Sequence, residues 1–169
     1  MHTYICLLRA VNVGGTGKLP MADLRALCAA VGFCDVQTYI ASGNVVLRSA
    51  LTTSDVQTTL ESALAEYAGK PVGVLVRTPS EMAAVLADNP FPDAAPNRTV
   101  AIFLDHAPSP DALALISGLQ DEELALGTRE IYVHYGSGMA DTRLKIQAAK
   151  TGTARNLNTV SRLCEMSRG

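Results

Sequence analysis

Tryptophan is absent from this 169-residue chain and aromatic residues make up only 5% of it, so neither a core of large rings nor an open platform for stacking bases is expected. Charge of one sign is also lacking. The 14 Lys and Arg against 16 Asp and Glu leave a net charge of -2 and a pI near 5.9, which argues against duplex DNA and anionic membrane as partners. No apolar run reaches membrane-spanning length, and Met1-His2-Thr3 enters strand-like sequence without a charged leader, so a cytoplasmic protein is expected. The four cysteines (Cys6, Cys28, Cys34, Cys164) contain no C-x-x-C pair and the three histidines (His2, His106, His134) form no cluster. Reduced thiols in apolar segments are expected, with no metal and no cofactor.

Recognised chemical motifs are equally scarce. Gly14-Gly15-Thr16-Gly17-Lys18-Leu19 misses a Walker A loop, because Asn12 stands where the first glycine is required and Leu19 where Ser or Thr is. Pro20 spoils a dinucleotide-type G-x-G-x-x-G. No Ser-His-Asp or Cys-His set, paired acid and base, H-E-x-x-H or EF-hand pattern is present, so no catalytic residue is assigned. The run Asp121-Glu122-Glu123 is expected in solvent at a strand end.

What is present is a core: nearly half of the residues are hydrophobic and mean hydropathy is +0.17, enough for a compact chain without disulfides. Tyr4 to Val11 reads as a buried strand ended by the glycine cluster. Pro20 opens a helix that carries Leu24, Leu27, Cys28 and Val31 to Gly32. Val36 to Ile40 and Asn44 to Arg48 form a hairpin through Ser42-Gly43. A capping box at Ser54 and Gln57 opens a second helix with Val56, Leu60 and Leu64 on one stripe, ending at Gly69, and Val72 to Arg77 follows as a strand. Strand, helix, strand, strand, helix, strand predicts a four-stranded antiparallel sheet with both helices on one face.

Thr78-Pro79-Ser80-Glu81 opens a linking helix that stops at Asn89-Pro90, and residues 79–97 read as that helix plus a proline-rich linker. Thr99 to Leu104 restarts the pattern. A helix from Ser109-Pro110 to Gly118, a hairpin of Glu122 to Leu126 with Glu130 to Tyr135, and two helical segments complete it. The expected fold class is α+β: a ferredoxin-like βαββαβ unit over residues 1–78, then a second, incomplete βαββα-type unit over 98–169 that has extra C-terminal helices and no clear closing strand.

Since the first two strands of such a unit run parallel, the turn after strand one and the hairpin after strand two emerge at one edge of the sheet. That gathers Arg9, Asn12, Gly14, Gly15 and Lys18 beside Ser42, Gly43 and Asn44. Backbone N–H groups of a glycine-rich turn, with cations nearby, suit a phosphate or carboxylate. The opposing structural reading has the glycines making a turn and Asn44 capping the hairpin. Arg155-Asn156-Leu157-Asn158-Thr159 is a second polar stretch, with Asn156 or Asn158 suited to cap the last helix and Arg155, Asn156, Asn158 and Thr159 as further candidate ligand contacts.

The blocks Leu7-Leu8-Arg9-Ala10-Val11-Asn12-Val13-Gly14-Gly15, Met21-Ala22-Asp23-Leu24-Arg25, Thr38-Tyr39-Ile40-Ala41-Ser42-Gly43-Asn44-Val45-Val46, Asn89-Pro90-Phe91 and Arg155-Asn156-Leu157-Asn158-Thr159-Val160 together resemble the bacterial domain of unknown function family numbered 1697. The likeness runs over almost the whole chain in order. It implies an α+β fold with ferredoxin-like lobes and carries no activity. Leu157 stands where the family tends to have Trp, which removes indole stacking, and Thr142-Arg143-Leu144 stands where it tends to have Ser-Lys-Leu, which keeps the positive charge. The expected function is therefore binding of a small anionic ligand at the glycine-rich corner. The alternative is a protein or nucleic-acid interaction module whose polar residues are structural.

Overall fold

The computed structural model describes residues 1–12, 18–136, 139 and 142–168. The chain is mixed α+β and divides into two compact units, Met1–Met82 with Leu163–Gly169, and Ala83–Arg162. Among the described residues no helix is long and apolar enough to cross a membrane.

The first unit begins with β1 (His2–Leu8), α1 (Met21–Ala30), β2 (Cys34–Tyr39), β3 (Asn44–Ser49), α2 (Thr53–Ala68) and β4 (Val74–Arg77). The sheet order is β2-β3-β1-β4 with every neighbouring pair antiparallel. Alternate residues of the strands make one apolar face: Tyr4, Cys6 and Leu8 of β1, Val45 and Leu47 of β3, Val74 and Val76 of β4. They pack against Leu24 and Cys28 of α1 and Val56, Leu60 and Leu64 of α2, so both helices lie on that face. Each such aliphatic side chain contributes about 1.5–3 kcal/mol by leaving water.

Local chemistry accounts for the ends of these elements. Gly69 closes α2 at φ 71, a conformation cheap only for glycine. The opening of α2 differs from the predicted capping box: Thr52 is the cap, its Oγ1 accepting from the Asp55 N–H at 3.2 Å. Pro20 sits at the cap of α1 rather than inside its first turn. β1 ends at Leu8, three residues before the predicted Val11, because Ala10 (φ 52) and Asn12 (φ 56) turn left-handed and no ladder continues through them.

α3 (Pro79–Ala87) opens on the predicted capping box. The Glu81 N–H donates to Thr78 Oγ1 at 3.2 Å and the Thr78 N–H to Glu81 Oε1 at 2.8 Å. The second unit then carries β5 (Thr99–Phe103), β6 (Ile116–Ser117), β7 (Glu123–Leu126), β8 (Glu130–His134), β9 (Lys145–Ile146) and β10 (Thr153–Asn156), and α4 (Leu157–Arg168) follows. Its main sheet has the order β10-β5-β8-β7, again antiparallel throughout, and β6 pairs with β9 in a separate ribbon.

Four features depart from expectation. The helix from Ser109 to Gly118 is only a 3-10 turn over Ala112–Ala114, after which Ile116 pairs with Ile146 and the Gln147 N–H donates to Leu115 C=O. A segment of that length between Pro110 and Gly118 is too short to hold a helix alone, so pairing wins. A closing strand exists: β10 runs beside β5, and the first of the two C-terminal helical segments is a 3-10 turn over Gln147–Thr151. Glu122 is not in solvent. It is buried, with its carboxylate accepting from the Gln120 N–H and from Thr142 Oγ1, both at 2.7 Å, and those bonds hold it below the ordinary carboxylate range.

Candidate functional site

β1 and β2 both lie antiparallel to β3 and therefore point the same way, while β4 runs opposite to β1. The end of β1, the hairpin after β2 and the segment entering β4 thus share one edge of the first sheet. Backbone bonds fix this: the Leu8 N–H donates to Gly43 C=O and the Arg9 N–H to Gly73 C=O, each at 2.9 Å.

Asn12 and the Ser42–Asn44 hairpin meet at this edge, and the amide side chains there are engaged by the protein. Asn12 Nδ2 donates to Leu19 C=O at 2.9 Å and to Ala41 C=O at 2.8 Å, while its Oδ1 accepts from the Leu19 N–H at 2.6 Å. One side chain thereby clasps both flanks of the glycine-rich turn to the hairpin. Asn44 is fully buried and donates through Nδ2 to Tyr39 C=O at 2.8 Å and to Ser42 Oγ at 3.0 Å. Gly43 sits at φ 89, where a Cβ would lie 2.7 Å from Val11 Cγ2 and 2.9 Å from Leu8 Cβ, so glycine alone fits. Gly14 and Gly15 lie outside the described residues.

A cleft of about 480 Å³ opens on the other flank of this corner. Its cations come from three places in the chain: Arg9 after β1, Lys18 before α1 and Lys70 between α2 and β4. Val11, Leu19 and Leu64, which belong to the core of the unit, line it together with Val72. Tyr67 borders it and donates its hydroxyl to Asp23 Oδ2 at 2.7 Å, tying α2 to α1. Gly73 leaves room for the Arg9 stem: a Cβ there would meet Arg9 Cδ at 3.1 Å, and its three nearest atoms are all of Arg9.

Of the residues expected from the sequence, the cleft takes Arg9 and Lys18 and leaves Asn12, Ser42, Gly43 and Asn44 out of its lining. Tyr67, Lys70, Val72 and Gly73 were not anticipated. The same topological reasoning would have found them, since a strand antiparallel to β1 begins where β1 ends.

The second polar stretch belongs to the second unit. Arg155 lies on β10 opposite Ala101 and is nearly buried, with Nη1 donating to Thr153 Oγ1 at 2.6 Å and to Ala154 C=O at 2.9 Å. Burial pulls its guanidinium down to about 10, still charged at neutral pH. Asn156 supplies the cap of α4, its Oδ1 accepting from the Thr159 N–H at 2.9 Å; Thr159 is buried and Asn158 exposed.

Cys6, Cys28 and Cys164 are buried and Cys34 is half-buried, all as free thiols. Burial, with Cys28 close by, pushes the Cys6 thiol up, and burial takes Cys28 up to about 11, so both are protonated at neutral pH and poor nucleophiles. Among the described residues no three His, Cys, Asp or Glu side chains are grouped to hold a metal.

Residues 1–132 match the sequence model of the family described as "Protein of unknown function (DUF1697)". No curated protein matches the chain. Among solved structures, that of the conserved bacterial protein SP0830 from Streptococcus pneumoniae is similar over 97% of this chain and 97% of its own length, with a TM-score of 0.80 at 24% sequence identity. A likeness at that identity concerns the fold.

Proposed function

The chain belongs to the DUF1697 family, and we propose that it binds a small phosphate- or carboxylate-bearing molecule in the cleft at the end of β1. The observation that carries this reading is the convergence of Arg9, Lys18 and Lys70 from three separate segments onto one cleft. The chain as a whole is slightly acidic, so this concentration of positive charge runs against its average composition. A charge-assisted hydrogen bond from such a cation to an anion contributes roughly 1.5–3 kcal/mol. The chemistry assigned is binding; no group in the lining is placed as a nucleophile or base.

Two finer readings accompany the proposal. The first unit is read as a ferredoxin-like βαββαβ unit, supported by its element order and by the strand order β2-β3-β1-β4. A bacterial setting is supported by the bacterial source of the similar solved structure, and a cytoplasmic one by four free cysteines, which suit a reducing compartment.

Thermal-shift screening with inorganic phosphate, nucleotides, sugar phosphates and organic acids tests the ligand class. At a hundred times its dissociation constant a ligand stabilises by about 2.7 kcal/mol, on the order of 5–10 °C for a chain of this size. The shift is expected to shrink in Arg9→Ala and Lys70→Ala. Hits of undiminished size in both variants would sink the assignment of the site.

A further inference from the structure

Resting on that reading, we infer that the ligand is amphiphilic: an anionic head carried on an apolar body. The chemistry of the lining points there. The charged side chains of its described lining, Arg9, Lys18 and Lys70, are all cationic, which suits an anion. Among the described lining residues the other side chains are nearly all aliphatic, Val11, Leu19, Leu64, Ala68, Pro71 and Val72 among them. Tyr67 directs its one hydroxyl proton to Asp23, so it brings the cleft a ring and no donor.

An apolar body laid on these aliphatic side chains removes apolar surface from water on both partners, which a heavily hydroxylated body does not. The apolar walls are continuous with the core of the unit, since Val11, Leu19 and Leu64 belong to that cluster and Val72 packs against it. They are accordingly held rigid by neighbours rather than left to collapse. The Arg9 stem lies along Gly73 at the border of the same cleft. A cleft of about 480 Å³ accommodates a head group and a body of drug-like size.

The test is isothermal titration of the full chain with the n-alkyl phosphates from ethyl to decyl, each kept below its micellar concentration, with inorganic phosphate and glucose 6-phosphate as polar references. Affinity is expected to rise about fourfold per added methylene until the cleft is filled. Arg9→Ala and Lys70→Ala are expected to weaken every member by a similar factor while preserving the slope; two variants are used so that loss of fold in one leaves the other. Binding of phosphate and glucose 6-phosphate with a flat alkyl series would overturn the inference and leave the anion site standing. A rising series indifferent to both substitutions would also overturn it, because the chain would then be adhering to an apolar surface elsewhere. If neither the series nor the polar references bind, the anion site itself falls with it.

Discussion

The two units lay out their main sheets in the same way and use the end of the first strand differently. Read from the hairpin side, the orders are β2-β3-β1-β4 and β7-β8-β5-β10, all antiparallel. Leu8 pairs with Val74 in one and Phe103 with Thr153 in the other, so Arg9 and Gly73 occupy the places that Leu104 and Gly152 hold in the second unit. Arg9 lines a cleft. Leu104 is buried in an apolar cluster. Two full helices cover the first sheet, whereas short ribbons and 3-10 turns pack on the second, contributing half-buried residues such as Leu113, Leu144 and Ile146. A shared strand frame therefore does not specify a site; the residue just past the first strand and the covering of the sheet decide whether the edge becomes cleft or core.

Exchanging the two residues between the units tests this directly. Leu104→Arg places a charge in an apolar cluster and is expected to cost on the order of 4 kcal/mol, seen as a large drop in the calorimetric melting temperature. Arg9→Leu, at a half-buried position, should leave the melting temperature within a few degrees and lower anion affinity at least tenfold. Equal destabilisation by both would mean that the two strand ends are not used differently.

The glycines that precede the closing strands sharpen the same contrast with smaller effects. A Cβ at Gly152 would stand 2.5 Å from the Phe103 carbonyl oxygen and 2.8 Å from Leu104 Cδ2, and backbone cannot step aside. Gly152→Ala is expected to cost about 2 kcal/mol. At Gly73 the new methyl meets only the flexible Arg9 stem, at 3.1 Å. Gly73→Ala should change stability by less than about 0.5 kcal/mol, because reduced freedom of the unfolded chain offsets the contact, and should weaken anion binding severalfold by moving Arg9. Chemical denaturation of both variants, with titration of the second, checks the pair.

How far the molecule is legible in its sequence follows from how local each determinant is. The Thr78–Glu81 box and the Gly69 stop involve atoms only a few residues apart, and both are readable. The start of α2 is not, since Thr52, Thr53 and Ser54 are all competent caps and packing chooses among them. The run from Ser109 to Gly118 has helical spacing but too few residues to act on it, and its fate depends on Ile146, thirty positions beyond Ile116. At the site, topology alone brings the Arg9 turn to the Gly43 hairpin. Asn12 and Asn44 resemble ligand contacts because irregular backbone and ligands ask for the same amide groups, and here the backbone takes them. Lys70 carries no local mark at all; its place follows from the register of β4 on β1.

The smallest expected effect concerns the tyrosines, which are shifted for different reasons in the two units. Tyr67 is held above the ordinary phenol value chiefly because its hydroxyl donates to Asp23, whereas Tyr132 and Tyr135 are raised first by burial. A raised folded value means that the Tyr67–Asp23 bond contributes fully below the ordinary phenol value of about 10 and is lost as pH climbs through the higher folded one. Alkaline titration followed by tyrosinate absorbance, with Tyr67→Phe to identify the Tyr67 step, is expected to show that step moving to lower pH in Asp23→Ala. The late transitions of Tyr132 and Tyr135 should stay where they were, because Asp23 is not among the groups that raise them. An unmoved Tyr67 step would show that the carboxylate is not what holds the phenol, and with it would go the argument that Tyr67 offers the cleft a ring and no donor.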